Sequence, residues 1–448
     1  MHSLSWALLS IFSIHFLVAY YIYDIYSLDR VFVTLFLSLF VLKEVFSSKE
    51  NLYVSWHFYG LLFLLFYGAL QTLTSPYITT EFEVLQQLYI ACFYILFIFA
   101  LLLLQRVNYK LREYLLMVTT LSAMSILFML IMFLLKSSNI YDIVIVNFGN
   151  IRIFNHLQTI IIPSLGLGLF LARDEKYRTL FTLLLILNFM LLLLTGARGS
   201  FYAILLAYTF LFVSSFSSKK IRRHILLMGS IFFLSVGLYM FLHYTYAEVG
   251  NFAHITTTVS AERLRIYKFL LHYVIDTDYF WSAIGFSSQD VALYNLLHPH
   301  NLFFYIFLGM GGFGLLLFTV LSFLFFKDIL LKYLHTKQLY KRYLLIIFLA
   351  LFIHSLVSGV YITPLTSLLF LFFIVVFLEA YKDEKRVGTL KSWTLRLPLV
   401  VLVVATTVLT YENYVLKKRY EKREVLKNVR HFSPGIMLYN NYFIQIHK

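Results

Sequence analysis

The chain has 448 residues, 60% of them hydrophobic and only 13% charged, with a formal net charge of +15. A soluble globular domain is about 25% charged, so this composition excludes a water-soluble fold and makes lipid the solvent. The single cysteine, Cys92, excludes a disulfide framework and a cysteine-based metal site. Inside an apolar run it reads as a small buried hydrophobe.

The predicted elements are apolar runs near the length, about 20 residues, that a helix needs to cross a bilayer. In chain order they lie at 4–22, 30–46, 52–71, 83–105, 114–135, 154–172, 179–195, 200–216, 224–242, 301–326, 343–360 and 364–381. The first lacks a basic leader and a small-residue cleavage site, so it reads as a span rather than a cleaved signal. A thirteenth run, 397–411, is shorter. The expected fold class is therefore an all-α polytopic membrane protein of about 12 transmembrane helices, 13 if the last run crosses. Residues 1–411 form the transmembrane domain and 412–448 a basic C-terminal tail.

Basic residues orient these spans. With the N-terminus in the cytoplasm, the inside loops 43–52, 105–113, 173–178, 217–223, 327–342 and 382–396 hold 22 of the 37 Lys and Arg. The outer segments up to residue 365 hold seven, and the tail holds the other eight. This is the asymmetry of the positive-inside rule, so the net charge reads as a topology signal and not as a nucleic-acid surface. If 397–411 crosses, as its apolar character favours, the run from Lys417 to Arg430 lies outside. One outer connection, 243–300, is far longer than the rest. Its aromatic and aliphatic content marks it as ordered, and long loops of that kind are usually functional.

Three outer features carry unusual charge. The first is the tight turn Thr195-Gly196-Ala197-Arg198-Gly199-Ser200. Its glycines allow unusual backbone angles, and Ser200 is placed to cap the next helix. Arg198 then stands beside a helix N-terminus, which favours an anion. The plainer alternative is an arginine reaching to lipid headgroups.

The second feature, residues 261–275, fits an amphipathic helix. At about 100° per residue, Glu262, Arg265, Lys268, His272 and Asp276 form a polar face. Ile266, Tyr267, Leu270 and Val274 fall within about 60° of Arg263, which is therefore centred on the apolar face. A guanidinium there needs an anionic partner: a carboxylate of the protein, or a phosphate that suits its bidentate fork.

The third is Leu297-His298-Pro299-His300-Asn301, directly before a span. His300 or Asn301 caps that helix. A histidine at a helix start has its protonated form disfavoured, which suits a general base. His298 is the alternative base. Gly309, Gly311, Gly312 and Gly314 follow, permitting close helix packing.

Other candidates are weaker. Asp276-Thr277-Asp278 resembles a metal-binding tripeptide but lacks a nucleotide-binding context. His15, His57 and His354 sit singly in spans and read as hydrogen-bonding to neighbouring helices. Arg152, before a span, either joins an anion site or anchors its helix. No metal site and no cofactor are expected.

The order of these pieces resembles the bacterial O-antigen ligase and O-antigen polymerase family. The residues that carry the resemblance are Thr195-Gly196-Ala197-Arg198-Gly199, Arg263-Leu264-Arg265-Ile266-Tyr267, and His300-Asn301 followed by Gly309 and Gly312. Alanine at 197 and tyrosine at 267 stand where serine and tryptophan are common. The resemblance implies a membrane glycosyltransferase that moves a glycan from an undecaprenyl-diphosphate carrier to an acceptor hydroxyl outside the cytoplasmic membrane. Of the implied activities, a polysaccharide polymerase (O-antigen, capsule or exopolysaccharide) is slightly preferred, and a ligase joining glycan to lipid A core is the alternative. Catalytic roles are implied for His300, Arg263 and Arg198. Substrate-binding roles are implied for Arg152, Tyr267, His298 and Asn301, and structural turns for Gly196, Gly199, Gly309 and Gly312. Partners would be the lipid-linked oligosaccharide, a glycan or lipid acceptor and membrane lipids. The rival from another class is a lipid-linked glycan transporter, which needs cationic groups accessible from both faces; here the unusual arginines are all outside.

Overall fold

The computed structural model describes residues 9, 25–47, 52–54, 56–74, 81–107, 109–136, 151–245, 268, 272, 281, 301–360, 364–381 and 388–422. Among these, twelve helices form: α1 Ile25–Ser47, α2 Trp56–Thr74, α3 Glu81–Arg106, α4 Leu111–Lys136, α5 Ile151–Leu171, α6 Glu175–Leu194, α7 Arg198–Ser214, α8 Lys219–Thr245, α9 Leu302–His335, α10 Leu339–Ser355, α11 Pro364–Ala380 and α12 Ser392–Lys422. They correspond to twelve of the thirteen apolar runs; the run 4–22 lies outside the described residues except for Leu9. Helices dominate because a chain in lipid must satisfy its backbone polar groups internally.

Among the described residues, seven stretches are long and apolar enough to cross a membrane: Leu88–Arg106, Leu111–Ile131, Phe154–Leu171, Glu175–Leu194, Lys219–Leu242, Leu302–His335 and Thr394–Glu412. The apolar helices Arg198–Ser214 and Leu365–Ala380 are shorter. At about 1.5 Å per residue, 17 residues span roughly 25 Å, less than a hydrocarbon core of about 30 Å. The short thirteenth run is part of a helix that does meet the length, and α12 runs on through residue 412, where the tail was expected to begin.

Two three-residue strands accompany the helices. Strand β1, Leu52–Val54, pairs antiparallel with β2, Gly388–Leu390, with Tyr53 opposite Thr389. The pairing brings the segments after loop 43–52 and within loop 382–396 to one end of a single unit.

The chain divides into two compact units. The first comprises Met1–Tyr26, Tyr109–Thr258 and Lys332–Tyr381, and so holds α4 to α8, α10 and α11. Its centre is α5, with 94% of Phe154–Leu171 buried, against 22% for Lys219–Leu242 in α8. Helices α4, α6, α7, α10 and α11 all pack on α5. Such burial demands small residues at close approaches and partners for polar ones. Gly168 lies where a Cβ would come 2.5 Å from Phe181 Cε1. Ser164 bonds the Tyr114 hydroxyl at 2.7 Å, and Gln158 donates to the Asn188 carbonyl at 3.1 Å.

The second unit comprises Ser27–Asn108, Val259–Leu331 and Lys382–Lys448. Within it α3 packs on α2 and α12. The α1–α3 pair is pinned by Thr34 and the Tyr89 hydroxyl at 3.2 Å, and by Arg106 donating to the Glu44 carbonyl at 2.6 Å. Helices α2 and α9 approach at Gly60 and Gly68, where a Cβ would meet Leu321 at 2.6 Å and Met310 at 2.7 Å. His57 does turn to a neighbouring helix: its Nε2 is 3.5 Å from Asp328 Oδ2 on α9.

Candidate active site

The Arg198 turn is built by the end of α6 and the start of α7, both in the first unit. Asp174 opens α6 by accepting from the Lys176 amide at 2.9 Å. Thr195 closes it, and Gly196 takes φ +62°, the left-handed region where a side chain is penalised. Two overlapping bonds complete the C-terminal cap, Gly196 N–H to Leu193 O at 3.1 Å and Ala197 N–H to Leu192 O at 3.3 Å. The helix α7 begins at once with Arg198, which is half-buried.

This corrects the expectation for Ser200. The residue before α7 is Ala197, which makes no side-chain cap bond. Ser200 is the third residue of the helix, and its hydroxyl donates to the Asn155 carbonyl at 2.8 Å. The chain reverses within Gly196 and Ala197, so the helix has already started before Ser200 is reached.

The two glycines of the turn serve different ends. Gly196 has the special backbone angle, and a Cβ there would meet nothing within 4 Å. Gly199 is helical, but a Cβ there would lie 3.0 Å from His354 Nε2 and 3.1 Å from its Cδ2. The first glycine is needed for conformation and the second for space.

Beneath the turn lies a buried polar network. Thr195 donates to Asn155 Oδ1 at 2.9 Å, sharing its hydroxyl with the Leu191 carbonyl. Thr159 donates to the Asn155 carbonyl at 3.0 Å and pairs with His354 Nδ1 at 2.7 Å. His156 Nε2 pairs with the Ser358 hydroxyl at 2.8 Å. The two imidazoles meet edge to face, with centroids 5.1 Å apart. Asn155, His156, Thr159, Thr195, Ser200, His354 and Ser358 are all buried. The network thus locks α5, α10 and the α6–α7 turn together.

Of the residues singled out from sequence, Arg198 and Arg152 share this end of the first unit. Arg152 is the second residue of α5, three residues before Asn155. Asn301 caps α9, its Oδ1 accepting from the amides of Phe303 at 2.9 Å and Phe304 at 3.2 Å. Asn301 therefore fills the cap role considered for His300. Gly309 and Gly312 are buried in α9, but the non-helical residue is Gly311 between them, at φ 68° and ψ −175°. Arg263, Tyr267, His298 and His300 lie outside the described residues. Lys268 and His272, assigned to the polar face of the loop helix, are both helical and exposed. Among the described residues no group of three or more His, Cys, Asp or Glu is placed to hold a metal ion.

His354 hydrogen-bonds to a neighbouring helix as expected, through Thr159 on α5; His156, Thr159 and Ser358 are not among the residues singled out from sequence. One signal was available: Asn155, His156, Gln158 and Thr159 crowd the first half of α5. The partners of His156 and Thr159 lie about 200 residues further on, beyond the reach of any local pattern.

These features define an integral membrane protein of packed helices, with a cationic turn seated on a buried polar network. Residues 183–319 match the model of the family described as O-antigen ligase. The match runs from within α6, through the Arg198 turn and the long loop, into α9 beyond Gly311, and it supports the resemblance to the O-antigen ligase and polymerase family. No curated protein and no solved structure matches the chain.

Proposed function

We propose that the protein is a glycosyltransferase of the bacterial cytoplasmic membrane, acting at its outer face on a glycan carried by undecaprenyl diphosphate. The observation that carries this reading is the O-antigen ligase family match over residues 183–319, which takes in Arg198, Arg263 and His300. The description of that family favours a ligase, with lipid A core as acceptor, over the polymerase preferred on sequence alone.

In this reading His300 takes the proton of the acceptor hydroxyl as its oxygen attacks the anomeric carbon of the donor sugar. The bond from that carbon to the diphosphate oxygen breaks, and undecaprenyl diphosphate leaves with the electron pair. Arg198 and Arg263 stabilise the charge that develops on it, a role that fixed donors perform with little reorganisation. With two guanidinium groups neutralising the diphosphate, the chemistry requires no metal ion. Asn301 holds the start of α9, directly after His300. Arg152, Tyr267 and His298 contribute to binding diphosphate or glycan.

The test is to incubate the purified protein with a labelled lipid-linked oligosaccharide and either lipid A core or a second oligosaccharide. A new glycosidic bond is expected, and the acceptor used separates ligase from polymerase. His300→Ala and Arg263→Ala each lower the rate by about 100-fold or more, the usual loss on removing such a group, while Arg265→Ala stays close to wild type. Lipid movement across liposomes with no new bond would favour the transporter instead.

A further inference from the structure

We propose that His354 is a positioning residue for Arg198, forming the wall against which the first turn of α7 is seated. The inference rests on the reading of Arg198 as a diphosphate ligand. Its basis is the contact between Gly199 and the imidazole, together with the hydrogen bond that holds this imidazole.

The hydroxyl of Thr159 has one proton, and it goes to the Asn155 carbonyl at 3.0 Å. Its bond with His354 Nδ1, at 2.7 Å, is donated by the imidazole in the Nδ1–H tautomer. In the neutral ring this puts the lone pair on Nε2, the atom 3.0 Å from where a Cβ at Gly199 would stand. His156 packs edge-on against the ring and is itself tied to Ser358.

Gly199 has ordinary helical geometry, so its backbone does not call for glycine; the two positive-φ glycines among the described residues are Gly196 and Gly311. What does call for glycine is the imidazole. Arg198 is the adjacent residue on the same turn, so where the helix and not the imidazole gives way to a Cβ at 199, Arg198 moves with it. Displacement of a binding group by about 1 Å costs roughly 100-fold in rate.

The test uses Gly199→Ala, His354→Ala, His354→Asn and the two double variants with Gly199→Ala, in the full-length protein. Glycan transfer is measured as kcat and KM for the lipid-linked donor. Gly199→Ala is expected to lower kcat/KM by about 10- to 100-fold. Adding His354→Ala should then raise it several-fold, although His354→Ala alone lowers it. His354→Asn keeps a donor for Thr159 but lacks the Nε2 and Cδ2 atoms that face Gly199, so alone it should lower kcat/KM as His354→Ala does, and with Gly199→Ala it should likewise raise it. Opposite signs for His354→Ala in the two backgrounds support positioning, whereas a purely structural role gives losses that accumulate. Losses that accumulate, or a Gly199→Ala protein as active as wild type, overturn the proposal.

A second readout needs no activity. In a Cys92→Ser, Arg198→Cys protein the only cysteine is at 198, and its rate of alkylation by a water-soluble maleimide reports the seating of the turn. Gly199→Ala should change that rate at least threefold, and His354→Ala should restore it. An unchanged rate overturns the proposal. If no variant, wild type included, transfers glycan, the functional reading fails while the alkylation series still decides this one.

Discussion

Ser200 on α7 donates its hydroxyl to the main-chain carbonyl of Asn155 on α5 at 2.8 Å. The same carbonyl also accepts from Thr159 at 3.0 Å, so both of its lone pairs are used. A helix start with no side-chain cap of its own is thereby fastened to the most buried helix of its unit. The fastening lies two residues from Arg198, which links stability to the candidate site.

Ser200→Ala should therefore cost stability and not only activity. Hydrogen bonds between membrane helices are worth about 0.6 kcal/mol on average and up to about 1.7. The lost hydroxyl should fall towards the upper end, because it is fully buried. Thermal unfolding of the detergent-solubilised protein measures it, and an unchanged midpoint would show that the bond contributes nothing.

Gly196 should respond to backbone preference and not to size. Its φ is +62° and the space around its Cα is open. The left-handed region costs an ordinary L-residue about 1–2 kcal/mol, and asparagine tolerates it better. Gly196→Ala should thus be more destabilising than Gly196→Asn although alanine is smaller. The reverse order in thermal unfolding would contradict the cap geometry.

Asn301→Ala removes the cap of α9 and should cost about 1 kcal/mol, while Asn301→Asp or Asn301→Ser should recover most of it. Because the cap lies next to His300, the alanine variant should also slow transfer. Capping-competent variants should restore stability and transfer together. Restored stability without restored transfer would instead point to a direct role of the Asn301 amide with substrate.

Along α9, Gly311 should be the sensitive glycine. Its φ and ψ of 68° and −175° belong to a region open almost only to glycine, where a side chain costs about 1–3 kcal/mol. Gly309→Ala and Gly312→Ala, which keep positions without that angle, should be milder. Expression and thermal unfolding of the three variants give the order directly.

Much of this could be read along the chain. Apolar runs locate the twelve described helices because lipid leaves a spanning chain few other ways to pair its amides. The glycine after Thr195 and the asparagine before Leu302 announce a C-cap and an N-cap, since both are local bonds within a few residues. Helix ends were less legible. The continuation of α9 to His335 passes Lys327, Asp328 and Lys332, and charged residues can extend a helix beyond the apolar stretch that locates it. The pairing of 52–54 with 388–390 joins segments over 300 residues apart and leaves no local signature.

The sequence by itself determined that the protein lives in a membrane and roughly where its helices run. These follow from residue type and from spacing within a turn or two. Only the tertiary structure decided what space Gly199 has beside it, where the Ser200 hydroxyl goes and which residue His354 bonds. Each of these depends on two helices meeting, and the same apolar faces that locate helices in a sequence carry no record of which neighbour they will touch.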